Sequence, residues 1–197
     1  MLYPNRLEEV LQATGDLLEA EGVQVGLVVV GGASLNLLGF VARTTDDVDV
    51  IARVDERPSA GDVALLPPEP LPDTLQRAIA RVARDFGLPE TWMNTEIGAQ
   101  WRQGLPPWLA EDLTWRRYGG LQVGLAGRRT LVTLKLFAAV DQGPRSVHYQ
   151  DLVALSPAME ELDNAATWVR TQDASEAFAL MLDQVIDHVM RDTQRDQ

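Results

Sequence analysis

The sequence predicts an α/β fold: a mixed-sheet core with flanking helices and a C-terminal helical hairpin. Three stretches predict it. Residues 27–30 are an apolar, β-branched run that passes through Gly31-Gly32 into an apolar helix over 33–38, then into a second strand carrying Asp47-Val48-Asp49-Val50. Residues 121–125 alternate as a strand does and lead to a helix over 128–140 that is apolar on nearly every side. Residues 156–170 and 173–191 then read as a helical pair. The expected division is an α/β core over 1–155 and a helical extension over 156–197 packed on it.

The elements follow in order. Residues 5–21 form an amphipathic helix with Leu7, Val10, Leu11, Leu17 and Leu18 on one side, ending at Glu21-Gly22. Gly31-Gly32 allows a sharp turn and leaves no side chain in the way of a ligand, and Gly39 stops the short helix. The second strand continues through residue 54. Residues 55–72, rich in Pro, Gly, Glu and Asp, read as a loop with one short apolar piece at 63–66, serving as a connector or as a lid. Pro72-Asp73-Thr74 opens a helix that stops at Gly87, with Leu75, Ile79, Val82 and Phe86 on one face. Arg77, Arg81 and Arg84 line another face, solvated or turned to phosphates. Trp92, Trp101, Trp108 and Trp115 anchor an irregular, proline-broken segment to the core, or offer faces on which a base could stack. Tyr118-Gly119-Gly120 is a turn. Ser156-Pro157 opens the penultimate helix, and the polar tail 192–197 is expected to fray.

Composition narrows the functional classes. The 197 residues carry a formal charge of −12, which argues against broad gripping of nucleic-acid phosphates. It leaves room for a local basic patch, a small acceptor or a basic protein partner. No cysteine is present, so disulfides and thiolate zinc sites are excluded. No apolar run approaches the ~20 residues of a membrane span. The polar helix at the start is unlike a signal peptide. The expectation is a cytoplasmic protein without a membrane partner. Sixteen arginines accompany a single lysine, Lys135, in the middle of the apolar helix over 128–140. A lysine kept there calls for a compact point charge, which the planar guanidinium does not copy, and a buried ammonium needs a partner.

Asp47 and Asp49 leave one face of a strand, and two carboxylates side by side repel unless a cation lies between them. Oxygen ligands of this kind suit Mg²⁺, which takes one or two protein carboxylates plus substrate phosphates. A Gly-Gly turn opening a helix, followed by Asp-x-Asp on the next strand, resembles the nucleotidyltransferase superfamily of the polymerase β type. Arg43-Thr44-Thr45-Asp46-Asp47-Val48-Asp49 resembles the AbiEii-type toxin branch and its uncharacterised relatives. The resemblance covers roughly residues 25 to 170 and implies a nucleotidyltransferase fold.

It implies an enzyme that moves an NMP from an NTP to an acceptor hydroxyl on tRNA or protein, as the toxin of a toxin–antitoxin pair. Asp47 and Asp49 would hold Mg²⁺ or Mn²⁺. Gly31, Gly32, Ser34 and Arg43 would bind the nucleotide, helped by the N-terminus of the short helix. The helix around Lys135 resembles a leucine-lysine-leucine-alanine helix of those relatives, which implies a catalytic lysine. Residues 145–152 resemble the element that closes the same fold, which makes Asp151 a third acid or the lysine's partner, with His148 one turn earlier on the same face. Trp92-Met93-Asn94 resembles another element of these relatives, although Thr95 stands where they often have aspartate. Residues 121–125 also lack the acid that many members carry on that strand. The same fold without that acid fits an inactive nucleotide- or partner-binding module.

Overall fold

The computed structural model describes residues 1–54 and 63–195. It divides into two compact units, Met1–Gly127 and Arg128–Gln197. The expected cut at 155 falls inside the second unit, because the helix that follows the sheet packs on the three helices after it.

The first unit is a six-stranded mixed sheet with helices. β1 (Val25–Val30) lies at its centre and is buried along its whole length. β6 (Leu121–Ala126) runs parallel to β1 on one side, and β2 (Val48–Val54) runs antiparallel on the other. β5 (Leu113–Tyr118) closes the β6 edge as an antiparallel hairpin around the expected Gly119-Gly120 turn. It went unread in the sequence because Arg116 and Arg117 break its apolar alternation. β3 (Leu65–Leu66) pairs antiparallel with β2 at Arg53 and Val54, so the apolar piece of the supposed loop is an edge strand. Residues 55–62 of that loop, with the lid reading placed on it, lie outside the described residues. β4 (Met93–Asn94) pairs parallel with the other end of β2.

α1 (Pro4–Ala20), with Pro4 in its first turn, and α3 (Asp73–Phe86) cover one face of this sheet. Leu7, Leu11, Leu75 and Val82 from the helices meet Leu27, Val29, Val48 and Val50 in one core, each exposed by no more than 1%. Each such side chain stabilises by about 1.5–3 kcal/mol relative to exposure. α3 ends as read, with Gly87 at φ 62° in the left-handed region. A 3₁₀ turn (Glu96–Gly98) and α4 (Ala99–Gln103) order part of the tryptophan segment. Trp92 behaves as an anchor: it is fully buried, and its indole N–H donates to Ile79 O at 3.2 Å.

The second unit is helical: α5 (Arg128–Gln142), α6 (Val147–Leu155), α7 (Met159–Val169) and α8 (Glu176–Arg195). The last three pack on α5, whose Phe137 ring meets Trp168 edge-on at 6.0 Å and Phe178 at 6.2 Å. Ser156 does not open α7 as expected. It terminates α6 in the left-handed region at φ 48°, and α7 begins at Met159. Arg128 joins these ends. It is bidentate to Glu161 at 2.7 and 3.0 Å and donates to Leu155 O at 2.9 Å, while Glu161 also accepts from the Ala158 N–H. The tail is helical through Arg195 rather than frayed from 192, because the Tyr149 hydroxyl donates to Asp192 at 2.7 Å and Thr193 is buried. Among the described residues no helix is long and apolar enough to cross a membrane.

Candidate functional site

The β1–α2–β2 stretch builds the site. α2 spans Gly31–Leu37, so both glycines belong to the helix, and the strand passes into it without the separate turn expected. Gly31 makes this possible at φ 68°, a conformation that costs other residues about 1–2 kcal/mol. Ser34 fixes the junction: it is fully buried and its hydroxyl donates to Val29 O at 2.7 Å. Arg116, reaching across from β5, donates to Leu37 O at the end of α2 and pairs with Glu8 of α1. With seven residues, α2 is too short for an argument from its dipole.

β2 presents the acids. Asp47 stands one residue before the strand and Asp49 within it, both half-buried, while Val48 and Val50 between and beyond them are fully buried. Asp49 lies opposite Val30 in the β1 pairing, which puts its carboxylate against the next residue, Gly31. A methyl group added there would overlap Asp49 Oδ2. A methyl group at Gly32 would come within 2.5 Å of Thr45 Oγ1 and 3.3 Å of the Arg43 guanidinium. The two glycines are therefore bare where the acid and the arginine close in. Small size here serves proximity as much as chain reversal.

The loop into β2 is pinned. Leu2, fully buried, exchanges backbone hydrogen bonds with Thr45 at 2.6 and 3.0 Å. Thr45 in turn donates from its hydroxyl to Asp47 O at 3.2 Å, and Arg43 donates to Thr44 O at 2.9 Å. On the far edge of β2, the Trp92 carbonyl accepts from Val48 N at 2.7 Å and guides β4 alongside the acids. Asn94 then sits beside Asp49 in register, and its amide donates to Asp47 Oδ2 at 3.5 Å. Its carbonyl oxygen accepts from Glu96 N at 2.9 Å, which fixes the orientation of the amide. Sequence reasoning assigned no role to Thr45 or Asn94. Both stood inside strings that it had singled out.

Lys135, Asp151 and His148 come together in the helical unit. Lys135 and Asp151 pair at 2.7 Å, with side chains only 6% and 2% exposed. The Lys135 ammonium also lies 3.4 Å from His148 Nδ1, one turn before Asp151 on α6. The lysine thus has the partner that burial demands.

β6 carries no acid, as the sequence already showed, and no group of three or more His, Cys, Asp or Glu residues that could hold a metal occurs among the described residues. The acid content of the β2 site is a pair. That suits a hard divalent cation whose other ligands are substrate phosphates and water, and it does not suit an all-protein cage. No curated protein and no solved structure matches the chain. Residues 5–59, which hold nearly all of α1 and the whole of β1, α2 and β2 with both acids, match a family described as nucleotidyltransferase of unknown function (DUF6036), and this likeness supports a nucleotidyltransferase-like domain.

Proposed function

We propose that the β1–α2–β2 site is the centre of a metal-dependent nucleotidyltransferase, moving an NMP from an NTP to an acceptor hydroxyl. The observation that carries this reading is the closing of Asp49 and Arg43 onto side-chain-free Gly31 and Gly32. It places a carboxylate and a guanidinium at backbone that a triphosphate can approach. Asp47 and Asp49 would hold Mg²⁺ or Mn²⁺, which when bound supplies neutralisation of charge developing on the phosphates. Arg43 would grip phosphate oxygens, Ser34 would keep the strand–helix junction in place, and Asn94 would orient Asp47.

The resemblance adds Lys135 and Asp151 to the transfer chemistry. Lys135→Arg keeps the charge and removes the compact ammonium, so its transfer rate tests that assignment. The resemblance also supports a cytoplasmic toxin neutralised by an antitoxin, with tRNA or protein as acceptor. Incubation of the chain with each labelled NTP, Mg²⁺ or Mn²⁺, and mixed tRNA or protein is the direct test. Label in an acceptor that disappears in Asp49→Asn supports transfer.

A second reading rests on the missing β6 acid. With only a pair of carboxylates, the site would bind nucleotide or a partner without turnover. Nucleotide binding by calorimetry with no label in any acceptor would favour it.

A further inference from the structure

We propose that the cavity beside Asn94 is the acceptor groove of the transfer reaction, and that it receives a basic polypeptide segment presenting a hydroxyl side chain. This rests on the nucleotidyltransferase reading above and names its acceptor. The cavity, about 640 Å³, lies between α3 and the segment around β4. Ile79, Ala80 and Met93 give it an apolar floor. Asn94 forms part of its wall, and the Asn94 amide donates to Asp47. An acceptor seated in the cavity therefore lies one residue away from the acid pair.

The chemistry of the wall selects the acceptor. Glu69, Glu90 and Glu96 line it, and no Lys, Arg or His does so among the described residues. Thr95 holds Glu69 in place by a 2.6 Å hydrogen bond. A smaller cavity of about 270 Å³ shares Glu69, Thr95 and Glu96 with the first and reaches on to Trp101 and Arg102, so that two carboxylates meet one guanidinium there. The larger cavity thus offers an apolar floor for an aliphatic stem and carboxylates for its charged head. A segment rich in arginine or lysine suits that lining. A polynucleotide brings its own row of phosphates to the same carboxylates, and the protein's charge of −12 adds to the repulsion.

The step balances without an oxidant or reductant. The acceptor oxygen forms a bond to the α-phosphorus, the bond from that phosphorus to the β,γ-diphosphate breaks, and pyrophosphate leaves. The hydroxyl proton passes to solvent.

The test uses the whole chain and a short fluorescein-labelled peptide of alternating arginine and serine. Anisotropy measures peptide binding, calorimetry measures NTP binding, and labelled NTP with peptide or tRNA measures transfer. The expected result is peptide binding that weakens about tenfold or more when Glu90→Lys and Glu96→Lys are combined. NTP affinity and the circular dichroism spectrum stay as in the wild type, and label appears in peptide serine and not in tRNA. A chain that binds NTP but ignores the peptide, binds it equally in the double variant, or labels tRNA instead overturns the acceptor assignment alone. A wild-type chain that binds no NTP brings down the underlying reading, and this proposal with it.

Discussion

Two clusters of charge in this molecule answer the same electrostatic problem in opposite ways. In the helical unit, Lys135 and Asp151 are both buried and neutralise one another at 2.7 Å, with His148 alongside. On β2, Asp47 and Asp49 carry like charge and stand half-buried, with Asp49 set against bare Gly31 and the Arg43 guanidinium against Gly32. The first arrangement sets opposite charges together, and removing either partner strands the other. The second has carboxylates gathered where the backbone has been cleared, which is the arrangement expected of a site that meets a ligand. Residue type alone does not distinguish them, since each cluster contains aspartate. Their burial and neighbours do.

Substitutions can break or sharpen this contrast. The largest effect is expected at Asp49. Asp49→Ala should lower nucleotide transfer by about 10³-fold or more, the scale of removing a group that stabilises transition-state charge. Its melting temperature should hold or rise slightly, because one of two repelling carboxylates has gone. Wild-type transfer rates in this variant would sink the proposed chemistry.

Asp151→Ala should do the reverse. It leaves a buried ammonium unpaired and should cost about 3–5 kcal/mol in a denaturant titration. Replacing both partners with apolar residues, as in Lys135→Met with Asp151→Leu, should restore most of that loss. A mild effect from Asp151→Ala would mean that the ammonium does not depend on this carboxylate for its charge balance.

Gly31→Ala comes next. A side chain at φ 68° costs about 1–3 kcal/mol of strain, and its methyl group also displaces Asp49. Stability and nucleotide affinity should fall together, measured by thermal melting and calorimetry. An affinity unchanged within twofold would detach the glycine from the acid.

The smallest effect belongs to Glu161. The bidentate Arg128 holds its carboxyl below the usual carboxylate range. A depressed carboxyl contributes stability that is present above its unfolded pKa and lost as pH falls through its folded one. Glu161→Gln should therefore cost less than about 1 kcal/mol at neutral pH, since both side chains are about a third exposed. The difference from wild type should vanish on acidification below the carboxylate range, in melts across pH.

Much of the fold was legible because local patterns and tertiary placement agree. The β-branched run of β1, the amphipathic faces of α1 and α3, and the apolar α5 each had one way to be buried. Gly31, Gly32, Asp47 and Asp49 were legible for the same reason, lying close together in the chain. Asn94 was not, because its place beside Asp47 comes from a two-residue strand that only the pairing with β2 creates. β3 is equally short, and β5 carries two arginines, of which Arg116 is taken up by α1 and α2 and Arg117 by the hairpin turn. Asp151 was read as either a third acid or the lysine's partner, and pattern could not choose between them. The 2.7 Å ion pair supplies the partner.

The pairing of β1 with β2 carries one irregularity: Val29 lies opposite Val50, but Val28 lies opposite Ala52, so Val50 and Ile51 together face a single step of β1. Such a bulge makes the strand one residue longer than its neighbour requires. A chain lacking either of those two residues could pair without interruption and keep Asp49 opposite Val30. Loss of Val48 would instead put the two acids on opposite faces. Length variation among relatives of this protein should accordingly be tolerated at 50–51 and purged between the aspartates. A gap aligned at 50–51 would be silent for the acid pair, and a gap at 48 would mark a chain that has given up the site.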